Sequence, residues 1–382
     1  MSWKRGSAVA VGLLALLTAG CGLGISANDS VVNQRVVPAG PGVTSDIADG
    51  AVVEPGTRWT FTAEPGWTIA VDGPQLGKQT PSADGSGTGV WKSRPLPPGI
   101  QVPAHVVATH AEGETREHHF NISTGTAKYQ YDVEFSGLTS TRYGVGHMPT
   151  LEFSIPIPKK SRPDVINNLS ASVSPKNVTV AFRWLDDQRL AYRPKKFWPG
   201  HSKITVTSDI TTVPIKYNGK TYWGERNSHT WRTGKSTIIT IKADRHRGEV
   251  HVNGKKVRSI STSVGKPGYT TRSGIKTITD KFTVTRMTNI GVTDDEVYDI
   301  EVPYAMRLTE TGEFLHAAPW NGNIGYANTS HGCTNLYTSD AAWIFERAQW
   351  GDPVITTGTG RAMETWNGPG GMWNIPWTQW RN

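Results

Sequence analysis

His316 and Cys333 lie seventeen residues apart, in Gly312-Glu313-Phe314-Leu315-His316-Ala317-Ala318-Pro319-Trp320 and Thr329-Ser330-His331-Gly332-Cys333-Thr334-Asn335. A thiol is mostly protonated at neutral pH and its thiolate is the nucleophile, so a reactive cysteine needs a neighbouring imidazole or a positive dipole. His316 has the chemistry to take that proton and to return one to a departing amine. Gly332 lets the backbone approach a substrate carbonyl, and main-chain N–H groups there can face the oxyanion of a tetrahedral intermediate. A serine-capped helix is expected over residues 339–349, and the positive potential of its start favours a thiolate. The segment is polar and bounded by turn formers, unlike the surroundings of a cysteine that merely fills a core. Zinc is the competing chemistry, since His316, His331 and Cys333 offer three ligands. Closely spaced Cys/His pairs of the zinc-finger type are missing from the sequence, so the reading is of no metal and no cofactor.

The chain has two cysteines, and the second sits in a different context. Lys4 and Arg5 precede an apolar run from Ala8 to Leu17, then Thr18-Ala19-Gly20-Cys21. A basic start, a short apolar stretch and small residues at a break describe a secretory signal. Its end resembles a bacterial lipobox, with Thr18 where leucine is more usual, so Cys21 is expected to become a lipidated N-terminus on the outer face of the membrane. An exported chain then carries one unpaired thiol in an oxidising compartment, which calls for a function. The formal charge of +8 suits an anionic cell wall or membrane. Its lysines are scattered as Lys159, Lys160, Lys195, Lys196, Lys255 and Lys256 rather than clustered, which argues against nucleic acid as a partner.

The elements that must position this chemistry are strands. Glycine (41) and proline (24) are plentiful in the 382 residues, and long helical periodicities are hard to find. After a signal over 1–21 and a tether over 22–48, short alternating runs such as Trp59-Thr60-Phe61-Thr62 and His105-Val106-Val107-Ala108-Thr109 predict a small β-sandwich over 49–125. A second is predicted over 126–233, with strands at 151–155, 178–182 and 203–207 and corners at Pro194 and Pro199-Gly200. A third unit over 234–358 opens with Ile238-Ile239-Thr240-Ile241 and with Glu249-Val250-His251-Val252. Asn253-Gly254 then signals a hairpin. The tryptophan-rich tail over 359–382 (Trp366, Trp373, Trp377, Trp380) is expected to pack back on that unit.

The Ser330-His331-Gly332-Cys333 block, with His316-Ala317-Ala318-Pro319-Trp320 before it and Asn335 after it, resembles the catalytic signature of L,D-transpeptidases of the YkuD type, especially actinobacterial, mycobacterial-type lipoproteins. Thr262-Ser263-Val264-Gly265-Lys266, Tyr298 and Trp373-Asn374-Ile375-Pro376-Trp377 add to the likeness. The resemblance implies a mostly β chain: two immunoglobulin-like modules, then a YkuD-type β-sandwich catalytic domain with a short helix. It implies that Cys333 is acylated, that His316 is its base and that the main-chain carbonyl of Ala317 orients the imidazole. Tyr298 would flank the oxyanion with the amides of Gly332 and Cys333. Ser330, His331 and Asn335 would support and line the pocket, and Trp320 would belong to a lid. The implied partners are peptidoglycan stem peptides, a donor tetrapeptide and an acceptor stem joined by a 3→3 cross-link, and carbapenems would acylate the enzyme. Two rival readings are a cell-wall cysteine peptidase or hydrolase and a non-enzymatic wall-binding lipoprotein. Papain-like enzymes place cysteine well before histidine, whereas no histidine follows Cys333 here.

Overall fold

The computed structural model describes residues 42–76, 89–138, 140, 142–289 and 297–381, together with the short strand Val37–Pro38. The signal and lipobox residues and most of the tether lie outside them, but the tether expected to run to residue 48 ends earlier, since Val37–Pro38 and Val43–Ser45 are strands of the first module and Val43 and Ile47 are buried in its core. Among the described residues no helix is long and apolar enough to cross a membrane.

Alternating side chains give the strands of the first module one apolar side each. Thr115–Thr124, Gln101–His110 and Trp67–Asp72 pair in that order, with Val52–Val53 at the edge. A second sheet of Val37–Pro38, Val43–Ser45, Thr60–Ala63 and Val90–Lys92 faces the same core, in which Trp59, Phe61, Trp91, Val106 and Phe120 are buried. The second module repeats the plan with two four-stranded sheets over a core containing Leu151, Tyr192, Trp198, Ile204 and Trp231. The strand expected over 178–182 runs instead over Val180–Trp184, and all five of its residues are half-buried. Its outer side is covered by the tail, where Trp380 Nε1 donates to the Ala181 carbonyl at 3.1 Å.

The third unit is one nine-stranded sheet in the order Gly274–Thr277, Pro353–Thr357, Thr237–Lys242, Arg247–Val252, Lys255–Ser263, Thr334–Leu336, Phe314–Ala317, Asp299–Arg307 and Asp280–Thr288. Ile239, Ile241, Val250 and Ile260 from one half share a core with Met306, Leu315, Ala317 and Leu336 from the other, so the sheet folds over on itself. Asn253 and Gly254 have φ of 49° and 79°, the two positive angles that a primed two-residue hairpin demands. The helix is Thr338–Arg347 rather than 339–349, and its N-cap is Tyr337 with no side-chain cap bond. The expected serine cap is therefore wrong: Ser339 already lies inside the first turn.

The tail ties the nine-stranded sheet to the second module. Asn374 accepts from the Ile275 N–H at 2.8 Å and donates to the Ile275 carbonyl at 2.9 Å. On the other side, buried Arg193 of the second module meets the rings of Trp373, Trp377 and Trp380 at 4.9, 5.5 and 4.4 Å. The packing expected on one unit is thus shared by two, and Trp366 takes no part, staying 65% exposed.

Candidate functional site: a cysteine–histidine pair across parallel strands

His316 lies in the fully buried strand Phe314–Ala317. That strand pairs in parallel with Thr334–Leu336, setting His316 opposite Asn335 and Leu315 opposite Thr334. Cys333 precedes Thr334, so the ladder carries the thiol to the level of Phe314 and brings two distant segments onto adjacent strands. Both side chains open into one cavity of about 350 Å³ that also exposes Tyr298, Ser330, His331 and Asn335 beside the apolar Met287, Ile300 and Val302. Trp320 is 51% exposed there, and its ring stacks 6.3 Å from that of His316.

A chain of hydrogen bonds fixes the tautomer of the imidazole. The Asn323 backbone N–H donates to Asn321 Oδ1 at 2.9 Å, which leaves Asn321 Nδ2 to donate to Asn335 Oδ1 at 2.9 Å. Asn335 must then present its Nδ2 to His316 Nε2, 2.9 Å away. On the opposite edge of the ring, His316 Nδ1 is 2.8 Å from the Ala317 carbonyl, which only accepts. The proton therefore sits on Nδ1 and a lone pair on Nε2, the arrangement a general base needs. Asn335 does more than line the pocket: it occupies the lone pair that must take the thiol proton. Asn335→Asp would replace that donor with an acceptor, place a proton on Nε2 and remove the base. Acylation of Cys333 is expected to fall by about 10²–10⁴-fold, with a raised His316 titration by NMR; an unchanged rate would contradict this tautomer.

The charge state departs from the thiolate expected above. Cys333 keeps some surface open to the cavity. Burial nevertheless pushes its thiol up to about 11, a rise opposed by the Phe314 backbone N–H and by Lys276 and reinforced by Glu313. Burial also lowers His316 to about 4, partly offset by the Ala317 carbonyl. The resting pair is neutral, and the strand Thr334–Leu336 separates the thiol from the helix that was to favour its anion. Proton transfer must then accompany attack rather than precede it. Acylation is expected to stay level within about twofold from pH 5 to pH 9, because both groups keep their neutral forms there. A limb with midpoint near 6.5, the ordinary imidazole value, would contradict the burial-lowered His316.

The loop before Cys333 is held from several directions. Gly332 has φ of 119°, a conformation that side-chain-bearing residues avoid, and its carbonyl accepts from Thr271 Oγ1 at 2.7 Å. Ser330 Oγ donates to the Cys333 carbonyl at 2.6 Å and accepts from the Gly332 N–H at 3.2 Å. That amide, expected to face an oxyanion, is thus already engaged. The Thr262–Lys266 segment clamps the loop through Ser330 N–H to the Val264 carbonyl at 3.1 Å and Lys266 N–H to the Ser330 carbonyl at 2.9 Å. The His331 ring packs between Tyr269 and Tyr298 at 4.7 and 5.1 Å. Burial raises the Tyr298 phenol and the nearby Cys333 raises it further, so Tyr298 remains an O–H donor beside the sulfur.

Sequence reasoning missed the charges behind the thiol. Glu313, 4% exposed, receives Arg272 Nη1 at 2.9 Å and Lys276 Nζ at 2.6 Å. Lys276 is fully buried, and burial lowers its pKa while Glu313 opposes the drop. The only available signal was a glutamate just ahead of an apolar strand, which reads equally well as a surface residue.

A half-buried thiol and a neutral imidazole protonated on Nδ1 line one cavity at the seam of parallel strands in a folded-over sheet, the pairing of groups that cysteine acyl transfer requires. Residues 235–356 match the L,D-transpeptidase catalytic domain and residues 72–214 match a bacterial Ig domain, a span that begins in the first module and ends in the second. L,D-transpeptidase 2 of Mycobacterium tuberculosis is 34% identical over 208 residues, 53% of this chain and 50% of that protein. L,D-transpeptidase 1 of the same organism is 30% identical over 56% of this chain and 80% of its own length. Probable L,D-transpeptidase 3 is 30% identical over 62% of this chain and 90% of its own length. Among solved structures, LD transpeptidase LdtMt1 in complex with imipenem superposes with a TM-score of 0.50 at 28% identity, over 59% of this chain and 99% of that one. The chain belongs to the L,D-transpeptidase family.

Proposed function

We propose that this protein is an exported, lipid-anchored L,D-transpeptidase that joins peptidoglycan stem peptides through a Cys333 thioester. The observation that carries the reading is the neutral Nδ1–H imidazole of His316 on the strand beside Cys333. A donor tetrapeptide lies in the cavity with the L,D peptide bond between its third and fourth residues at the sulfur. As Sγ forms the C–S bond, the thiol proton passes to His316 Nε2, which Asn335 releases. The carbonyl oxygen takes negative charge, and the Tyr298 hydroxyl and the Cys333 N–H are the donors that would hold it. Collapse breaks the C–N bond, and His316 returns the proton to the departing D-alanine amine. The side-chain amine of the third residue of an acceptor stem then attacks the thioester and loses a proton to His316. The 3→3 cross-link leaves with the carbonyl and Cys333 regains its thiol. The apolar walls at Met287, Ile300 and Val302 suit the aliphatic stem chains, and Trp320 shields the acyl group from water.

Carbapenem sensitivity follows the same chemistry, with the strained lactam carbonyl in place of the peptide. Cys21 supplies the anchor, and the net charge of +8 suits an anionic wall. Incubation with a purified disaccharide-tetrapeptide tests the reading: 3→3 dimers with one D-alanine released per link are expected. Free tripeptide without dimers would make the protein a hydrolase.

A further inference from the structure

The first module carries side-chain chemistry that the transpeptidase reaction does not use. Its outer sheet face comprises Gln101–His110 paired antiparallel with Thr115–Thr124, in a register that sets His105 directly opposite His119. Residues two apart on a strand point the same way, so Glu117 joins the two histidines on this face. On the other side of His105 its partner in the register is Asp72, and Asp72, His105 and His119 border one cleft. Inward-facing Val106, Phe120 and Ile122 alternate with these positions in the core, so the display is fixed by the sandwich itself.

Among the described residues, His105, Glu117 and His119 bring one ligand atom each within 4.8 Å of one another. The two imidazole rings stack nearly parallel, 8° apart with centroids at 4.6 Å. His105 Nε2 is 3.3 Å from Glu117 Oε2, which is roughly the edge of a tetrahedron built with zinc–ligand bonds of about 2.0–2.1 Å. Surface pairs of opposite charge need one histidine and one acid; a second, stacked imidazole adds repulsion if both rings are protonated and adds a ligand if neither is. Two nitrogens and one carboxylate oxygen suit a borderline cation such as zinc and suit magnesium or calcium poorly.

We propose that this face is a zinc-binding site in which His105, His119 and Glu117 are the protein ligands. The cation bridges the two central strands of the module, far along the chain from Cys333, and acts in folding or in docking of the module rather than in acyl transfer.

The test is calorimetric titration of Zn²⁺ into EDTA-treated protein carrying Cys333→Ala, so that the catalytic thiol cannot contribute a ligand. One equivalent is expected to bind, with a raised Tm, while Mg²⁺ gives no heat. His105→Ala and His119→Ala lie on an outward face and leave the core intact. Each is expected to weaken Zn²⁺ by more than roughly 100-fold, beyond the loss that follows removal of a mere supporting hydrogen bond. Zinc affinity unchanged in both variants, equal binding of Mg²⁺, or no binding at millimolar Zn²⁺ would each overturn the site and leave an ordinary His–Glu ion pair.

Discussion

Cys333→Ala leaves a folded protein that forms no thioester and no cross-link. The side chain is half-buried at the cavity, so removing its sulfur costs little packing, while the acyl group loses its point of attachment altogether. His316→Ala should also keep the fold and lower acylation by about 10²–10⁴-fold, the usual share of a positioned base. The loss is expected to be especially severe here because the thiol, pushed up to about 11 by burial, yields almost no thiolate by itself at neutral pH. Stopped-flow acylation by a β-lactam, with circular dichroism to verify folding, separates the two effects. Appreciable turnover in Cys333→Ala would exclude the sulfur as nucleophile.

Glu313→Ala should be the most damaging change away from the reacting atoms. Glu313 is the counter-ion of Lys276, fully buried, and of Arg272, 8% exposed. Removing one partner of a buried ion cluster leaves uncompensated charge and costs about 3–5 kcal/mol. Arg272 retains its ion pair with Glu364, and Lys276 can lose its proton, so the lower part of that range is expected. Urea denaturation measures it directly; a change below about 1 kcal/mol would show that solvent reaches the cluster. Replacing Glu313 and Lys276 together by methionine should recover part of the loss, since well-packed apolar groups often substitute for a buried pair.

Much of the fold was legible because it follows from local rules. Alternating apolar residues around Phe61, Val106 and Ile204 mark sandwich strands, and Asn253-Gly254 forms its hairpin because both residues tolerate positive φ. His316, Cys333 and Gly332 were legible because few combinations of residue types can activate a thiol. What remained hidden depends on long-range pairing. Nothing local reveals that Phe314–Ala317 and Thr334–Leu336 run in parallel, and that pairing decides that Asn335 meets the lone pair of His316. The sign of the thiol shift depends on burial, which a polar loop sequence conceals. The tail was read as packing on the catalytic unit alone because its partner Arg193 lies 182 residues from Ile375, inside a module where an arginine reads as a surface residue. His105, Glu117 and His119 were likewise invisible as a group, since strand register alone brings them together.

Mass spectrometry of the intact protein after exposure to a carbapenem, followed by peptide mapping, tests the central claim. One adduct on the peptide containing Cys333, absent from Cys333→Ala and slow to form in His316→Ala, is the predicted result. An adduct on any other residue, or full labelling without His316, would contradict a cysteine nucleophile served by that imidazole.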